Sequence, residues 1–143
     1  MNASTDHLLR RTLWGNAAFS IASGAVLALF ATPFAAAASA EQLTVAGFDL
    51  AIVLELLGIG VIAAGVLCAW VAARTELPRG LAKAIFAADI AYVAASVVVL
   101  ELVPWTTAGI AAIAIVALIV ADLAVLQYLG LRRLSTPRPA HQG

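Results

Sequence analysis

All eight lysines and arginines of this 143-residue chain fall in three short stretches. Arg10 and Arg11 come first, then Arg74, Arg79 and Lys83, then Arg132, Arg133 and Arg138. The two long intervals between these clusters hold no basic residue and are almost wholly apolar. A chain that returns to the same side of a membrane after each pair of crossings has this spacing. Cytoplasmic segments collect Lys and Arg, whereas translocated loops do not. The pattern predicts four spans, with the N-terminus and C-terminus both cytoplasmic.

Composition agrees with that count. The chain is 64% apolar and 11% charged, with a mean hydropathy of +1.04; soluble domains carry roughly 45–50% apolar and about 25% charged residues. A span takes about 20 largely apolar residues, so four of them leave no room for a soluble domain. Only helices suit them, because a segment in lipid must satisfy its own backbone hydrogen bonds. The expectation is an all-α, four-helix transmembrane bundle forming one integral membrane domain over 1–143. Its spans fall at about 13–32, 50–73, 80–103 and 105–131, followed by a disordered tail at about 134–143. Pro33, Pro78 and Pro104 all lie at these boundaries, where a missing amide donor does least harm. Span one stops near Pro33, Pro78 restarts the chain before span three, and Pro104 opens span four.

The formal net charge of zero hides an asymmetry. Basic residues gather on one side, while Glu41, Asp49 and Glu101 lie near the other. Basic clusters facing an anionic leaflet are drawn to lipid headgroups, so the lipid bilayer is the expected partner and nucleic acid is not. A homo-oligomer or a membrane-protein partner stays open. The setting this implies is a membrane crossed several times.

The first forty residues also read as a secretory signal, with Ala38-Ser39-Ala40 supplying the small-x-small pattern before Glu41. A signal's apolar region spans about 7–15 residues; the stretch here is longer and contains Asn16, Ser20 and Ser23. An apparent duplication favours keeping it in the bundle. When NAAFSIASGAVLAL from Asn16 is set over DIAYVAASVVVLEL from Asp89, Phe19 meets Tyr92, Ser23 meets Ser96 and Arg10 meets Lys83. In the later spans Trp70 meets Tyr128, Ala63 meets Ala121 and Arg74 meets Arg132. Two parallel helical-hairpin repeats, related by an axis along the membrane normal, would give this match.

Ionisable groups in hydrocarbon cost roughly 2.5–3.5 kcal/mol on insertion scales, so three carboxylates stand out. Asp89 falls near the middle of span three and Asp122 in the cytoplasmic half of span four. Glu55 is an outer-half carboxylate of span two. Asn16, Ser20 and Ser23 form one polar stripe on span one; Asp89 and Ser96 share another, with Tyr92 beside it. The expected intramembrane polar cluster is Asn16, Asp89, Asp122, Ser23, Ser96 and Tyr92. Such a cluster either glues helices together, at about 0.6 kcal/mol per interhelical bond, or forms a proton- or cation-coupled pocket. On span two, Ala51, Glu55, Gly58, Ile62, Gly65, Ala69 and Ala72 make a small-residue seam that lets helices approach closely. Glu55 is therefore expected to point into protein.

No metal or cofactor is expected. His7 and His141 are terminal, Cys68 is the sole cysteine and reads as a small packing residue, and neither a phosphate loop nor a nucleophile elbow is present. No catalytic residue is assigned.

LRRTLWGNAAFSIASGAVLALFA, with AADIAYVAAS and LQYLGLRR further on, resembles a group of small uncharacterised four-span bacterial inner-membrane proteins. That resemblance covers most of the chain and implies a compact four-helix membrane protein without an assigned activity. The small multidrug-resistance transporters also have four spans, with an essential glutamate in the first. Here the first span carries Asn16, and the glutamate lies in the second. The functional expectation is a non-catalytic integral membrane protein whose polar residues support packing or partner assembly. The alternative is a small proton- or cation-coupled transporter or channel subunit using Asp89 and Asp122.

Overall fold

The computed structural model describes residues 3–39 and 43–135. The chain forms α1 (Ala3–Leu29), α2 (Ala31–Ala38), β1 (Thr44–Val45), β2 (Phe48–Asp49), α3 (Leu50–Ala73), α4 (Arg79–Leu102) and α5 (Thr107–Ser135). Four helical segments are long and apolar enough to cross a membrane: His7–Leu29, Leu50–Ala73, Arg79–Leu102 and Thr107–Arg132. A 24-residue helix is about 36 Å long, which exceeds the roughly 30 Å of hydrocarbon in a bilayer. The fold is all-α, and the molecule is a multi-pass membrane protein.

Several boundaries differ from the sequence expectation, span one beginning at His7 rather than near Leu13. Span one ends before Pro33: α1 stops at Leu29, and the chain breaks at Phe30, whose φ of −115° and ψ of 26° are not helical. Pro33 falls instead in the first turn of α2, where its missing N–H is no loss. Pro104 does not open span four. It lies in the link before α5, and Thr106 does the capping, its Oγ1 accepting from Gly109 N at 3.1 Å. The tail expected at about 134–143 lies mostly outside the described residues; α5 itself runs to Ser135.

The four long helices alternate in direction. Leu9 meets Gly130 and Arg10 meets Ala72 at one end, where Arg74, Arg79 and Arg132 also lie. Ala38 meets Thr106 at the other, near Asp49 and Glu101. Helix α1 is the hub, packed along α3 on one side and α5 on the other, while α4 rests on α5 and barely touches α3. The α1–α3 contact is set by missing side chains. A Cβ on Gly58 would come within 2.7 Å of both Gly24 O and Ala28 N, and one on Gly65 within 3.0 Å of Ala17 O. These backbones nearly touch, as small residues in membrane helices permit.

The buried core sits at the basic end. Leu9, Leu13 and Ala17 of α1 meet Cys68, Val71 and Ala72 of α3 and Ala82 and Ile85 of α4. Arg10 fastens the same end. Its guanidinium donates to Ala72 O at 2.8 Å, to Thr75 O at 2.7 Å and to Arg74 O. A cation thus satisfies the orphan carbonyls and partial negative charge where α3 ends. Arg74 stacks over Trp70, 3.9 Å from the ring centroid.

At the opposite end, Thr106 ties the α4–α5 link to α2: its N–H donates to Ala38 O at 2.8 Å and its hydroxyl to Ala37 O at 2.6 Å. Between α1 and α3 the chain forms α2 and a tight β1–β2 hairpin, pairing Val45 with Phe48. Ala46 and Gly47 have φ of 52° and 83° at its tip; two-residue hairpin turns favour such positive values.

Candidate functional site

One polar cluster joins three spans. Asp89 Oδ2 accepts a hydrogen bond from Asn16 Nδ2 at 2.8 Å and another from Gln127 Nε2, also at 2.8 Å. Ser20 Oγ donates to Asn16 Oδ1 at 3.0 Å, which aligns the Asn16 amide toward the carboxylate. Helices α1, α4 and α5 each contribute one member of the triad. Asn16 is 2% exposed and Gln127 fully buried, whereas Asp89 is only partly covered.

Two features of the triad matter chemically. Both donors converge on one oxygen, so Asp89 Oδ1 accepts no hydrogen bond among the described residues. The donors are also neutral amides, and neither long interval between the basic clusters contains a Lys or Arg to offset the charge. Gln127 Oε1 is buried without a hydrogen-bond partner among the described residues. An unpaired buried acceptor costs about 1–3 kcal/mol, so the site accepts a loss at that atom to place a donor on Asp89.

Asp89 also lines a cleft of about 150 Å³ between α1, α3 and α4. Asn16, Ser20 and Cys68 supply its remaining polar or polarizable lining; Leu67, Leu81 and Ile85 are among its apolar walls. Leu67, Leu81 and Ala88 are exposed, so the cleft opens sideways where α3 and α4 part. A separate groove of about 420 Å³ runs between α1 and α5 at the basic end, lined by His7, Arg11, Thr12, Gly15, Leu123 and Leu126.

The structure brings Asn16 and Asp89 together and leaves the other expected members of the cluster elsewhere. Asp122 is exposed on α5. The buried stripe of that helix passes through Val120, Ala124 and Gln127, and Asp122, five positions before Gln127, points about 140° away from it. Ser23 bonds back to Phe19 O at 2.7 Å and Ser96 to Tyr92 O at 2.9 Å. Each hydroxyl is satisfied within its own helix, the usual refuge of a serine in apolar surroundings. Tyr92 is half-buried one turn from Asp89.

Glu55 is a second correction. It is exposed and does not point into protein. Gly58, Gly65 and Ala72 of the seam are buried; beyond Gly58 the short α2 takes the place of α1 against α3, leaving Ala51 partly covered and Glu55 exposed. There α1 reaches Ala28 and ends at Leu29, so nothing of that helix extends over the turn holding Glu55.

Gln127 is the member of the triad that the sequence-based cluster lacks. The available signal was its spacing: Val120, Ala124 and Gln127 follow the i, i+4, i+7 rule of one helix face. Comparisons with protein-family models, with curated proteins and with solved structures found no match.

Proposed function

We propose that this chain is a non-catalytic protein of a bacterial inner membrane, both termini cytoplasmic, that works by assembling with a second membrane-embedded helix surface. The observation that carries this reading is Asp122. It is exposed on α5, ten residues or about 15 Å from Arg132, at a depth where a bare carboxylate is costly. Around it Leu118, Val125 and Leu126 are also exposed. A partner helix that hydrogen-bonds Asp122 would remove that cost, and a second copy of this chain or another membrane protein can supply it. The three basic clusters at one end support the orientation through the charge bias of cytoplasmic loops.

Energy transfer between labelled copies in proteoliposomes, together with cross-linking of L118C to co-expressed membrane proteins, tests this reading. The wild-type chain should associate, and Asp122→Leu should weaken that association at least tenfold. A chain that stays alone in the bilayer, with Asp122→Leu behaving like wild type, would contradict it.

One observation favours a second reading, a small proton- or cation-coupled transporter or channel subunit. Asp89 lines a sideways-opening cleft and carries no basic counter-ion. In that reading Asp89 acts without Asp122, which lies on a different face of α5. Proton flux through proteoliposomes that disappears in Asp89→Asn would support it; flux unchanged by that substitution would remove it.

A further inference from the structure

We infer that the α1–α3–α4 cleft is a binding site for a small ammonium ion with a short apolar tail, its N–H donors seated on Asp89 Oδ1. The inference deepens the coupling reading by naming the class of ligand. Three independent observations converge on it. The carboxylate is half-satisfied, with Oδ2 taking both amide donors and Oδ1 taking none among the described residues. Its negative charge has no cation near it in the apolar part of the chain, so the missing complement is positive and rich in donors. Ser20 and Asn16 beside it are neutral, and they neither repel nor replace such a charge.

The walls set the rest of the ligand. Ala64, Leu67, Leu81, Ala84, Ile85 and Ala88 surround the carboxylate with hydrocarbon. A bare metal ion would find one open carboxylate oxygen and little else, far short of the 6–8 oxygens that calcium takes or the octahedron that magnesium demands. An alkylammonium needs only a few acceptors and places its carbon chain against leucine and alanine. At about 150 Å³ the cleft is smaller than the roughly 300–1,000 Å³ of sites for drug-sized molecules. It suits a chain of a few carbons or the head of a longer amphiphile whose tail passes out between α3 and α4 into lipid. The slight contact between those two helices leaves that exit open, and entry from the bilayer needs no opening of the glycine-packed α1–α3 side.

The test uses the full chain in deuterated detergent and n-butylammonium as probe, read by saturation transfer from protein to the probe's methyl and methylene protons. n-Butanol serves as the uncharged match. Butylammonium should show saturable transfer at least fivefold above butanol, and Asp89→Asn should lose that excess. Should Asp89→Asn fail to fold, Ala84→Trp fills the cleft while keeping the carboxylate, and it should lose the signal as well. Equal transfer to butanol and butylammonium, or an excess that survives both substitutions, would overturn the inference. Absence of transfer from a protein that still conducts protons through Asp89 would overturn the ligand and leave the coupling reading in place. Absence of both would remove the two together.

Discussion

Helix α1 meets α3 and α4 by opposite means. Against α3 it packs by subtraction: Gly24, Gly58 and Gly65 remove side chains until the two backbones nearly meet. Toward α4 it packs by addition, with Asn16 reaching across to a carboxylate that Gln127 also holds. The apparent duplication sharpens this contrast. The alignment that sets Asn16 on Asp89 sets Gly24 on Val97, and the one that sets Trp70 on Tyr128 sets Gly58 on Val116 and Gly65 on Leu123. The later hairpin thus lacks the glycine seam, and rings such as Phe86 and Tyr128, 6.1 Å apart, keep its helices separated by side chains. Helix α4 rests on α5; toward α1, which it does not approach closely, the polar clamp is its tie, and the cleft is the space that clamp leaves unfilled. Dense packing gives a scaffold, and looser packing around a carboxylate gives somewhere for a ligand to go.

The largest effect should come from filling the dense flank. Gly58→Leu would drive carbon into the backbone of α1 and should cost about 3 kcal/mol or more, measured by reversible unfolding in mixed micelles. Gly60 has nothing within 4 Å of its Cβ direction, so Gly60→Leu on the same helix should stay within about 0.5 kcal/mol of wild type. Equal losses at both positions would mean that the seam is not where α1 and α3 meet.

A smaller effect should separate loss of the clamp from loss of its charge. Asp89→Leu strands the amide donors of Asn16 and Gln127, and should cost about 2 kcal/mol. Asp89→Asn keeps an acceptor for them, and should cost about 1 kcal/mol or less. If the two substitutions were equally mild, packing alone would be holding α4. Smaller still is Arg10→Gln, which removes a charged cap from the end of α3 and should cost about 1 kcal/mol. Hydrogen exchange should then rise in the last turn of α3 and leave α5 unchanged.

The same contrast explains what could be read in the sequence. Four spans were legible because hydropathy and charge bias depend on composition over twenty residues, which no local detail can overturn. The glycine seam was legible for most of its length because small residues at helical spacing have one common use. Its end toward Leu50 was not. Glu55 continues the spacing, but whether α1 reaches it depends on where that helix stops, and the break falls at Phe30, before Pro33. The pairing of Asn16 with Asp89 followed from the repeat, since equivalent positions face a common axis. Expecting Asp122 in the cluster gave weight to charge over phase. Asp122 lies five residues from Gln127, about 7.5 Å along the axis and about 140° round it, and Gln127 is the group that reaches Asp89.

A double-mutant cycle read by reversible unfolding in mixed micelles tests the central arrangement most directly. Asn16→Ala and Asp89→Ala should couple by about 0.5 kcal/mol or more, whereas Asp89→Ala and Asp122→Ala should add to within about 0.3 kcal/mol. Coupling of Asp89 to Asp122, with Asn16 and Asp89 additive, would contradict the clamp and place the two carboxylates in one site after all.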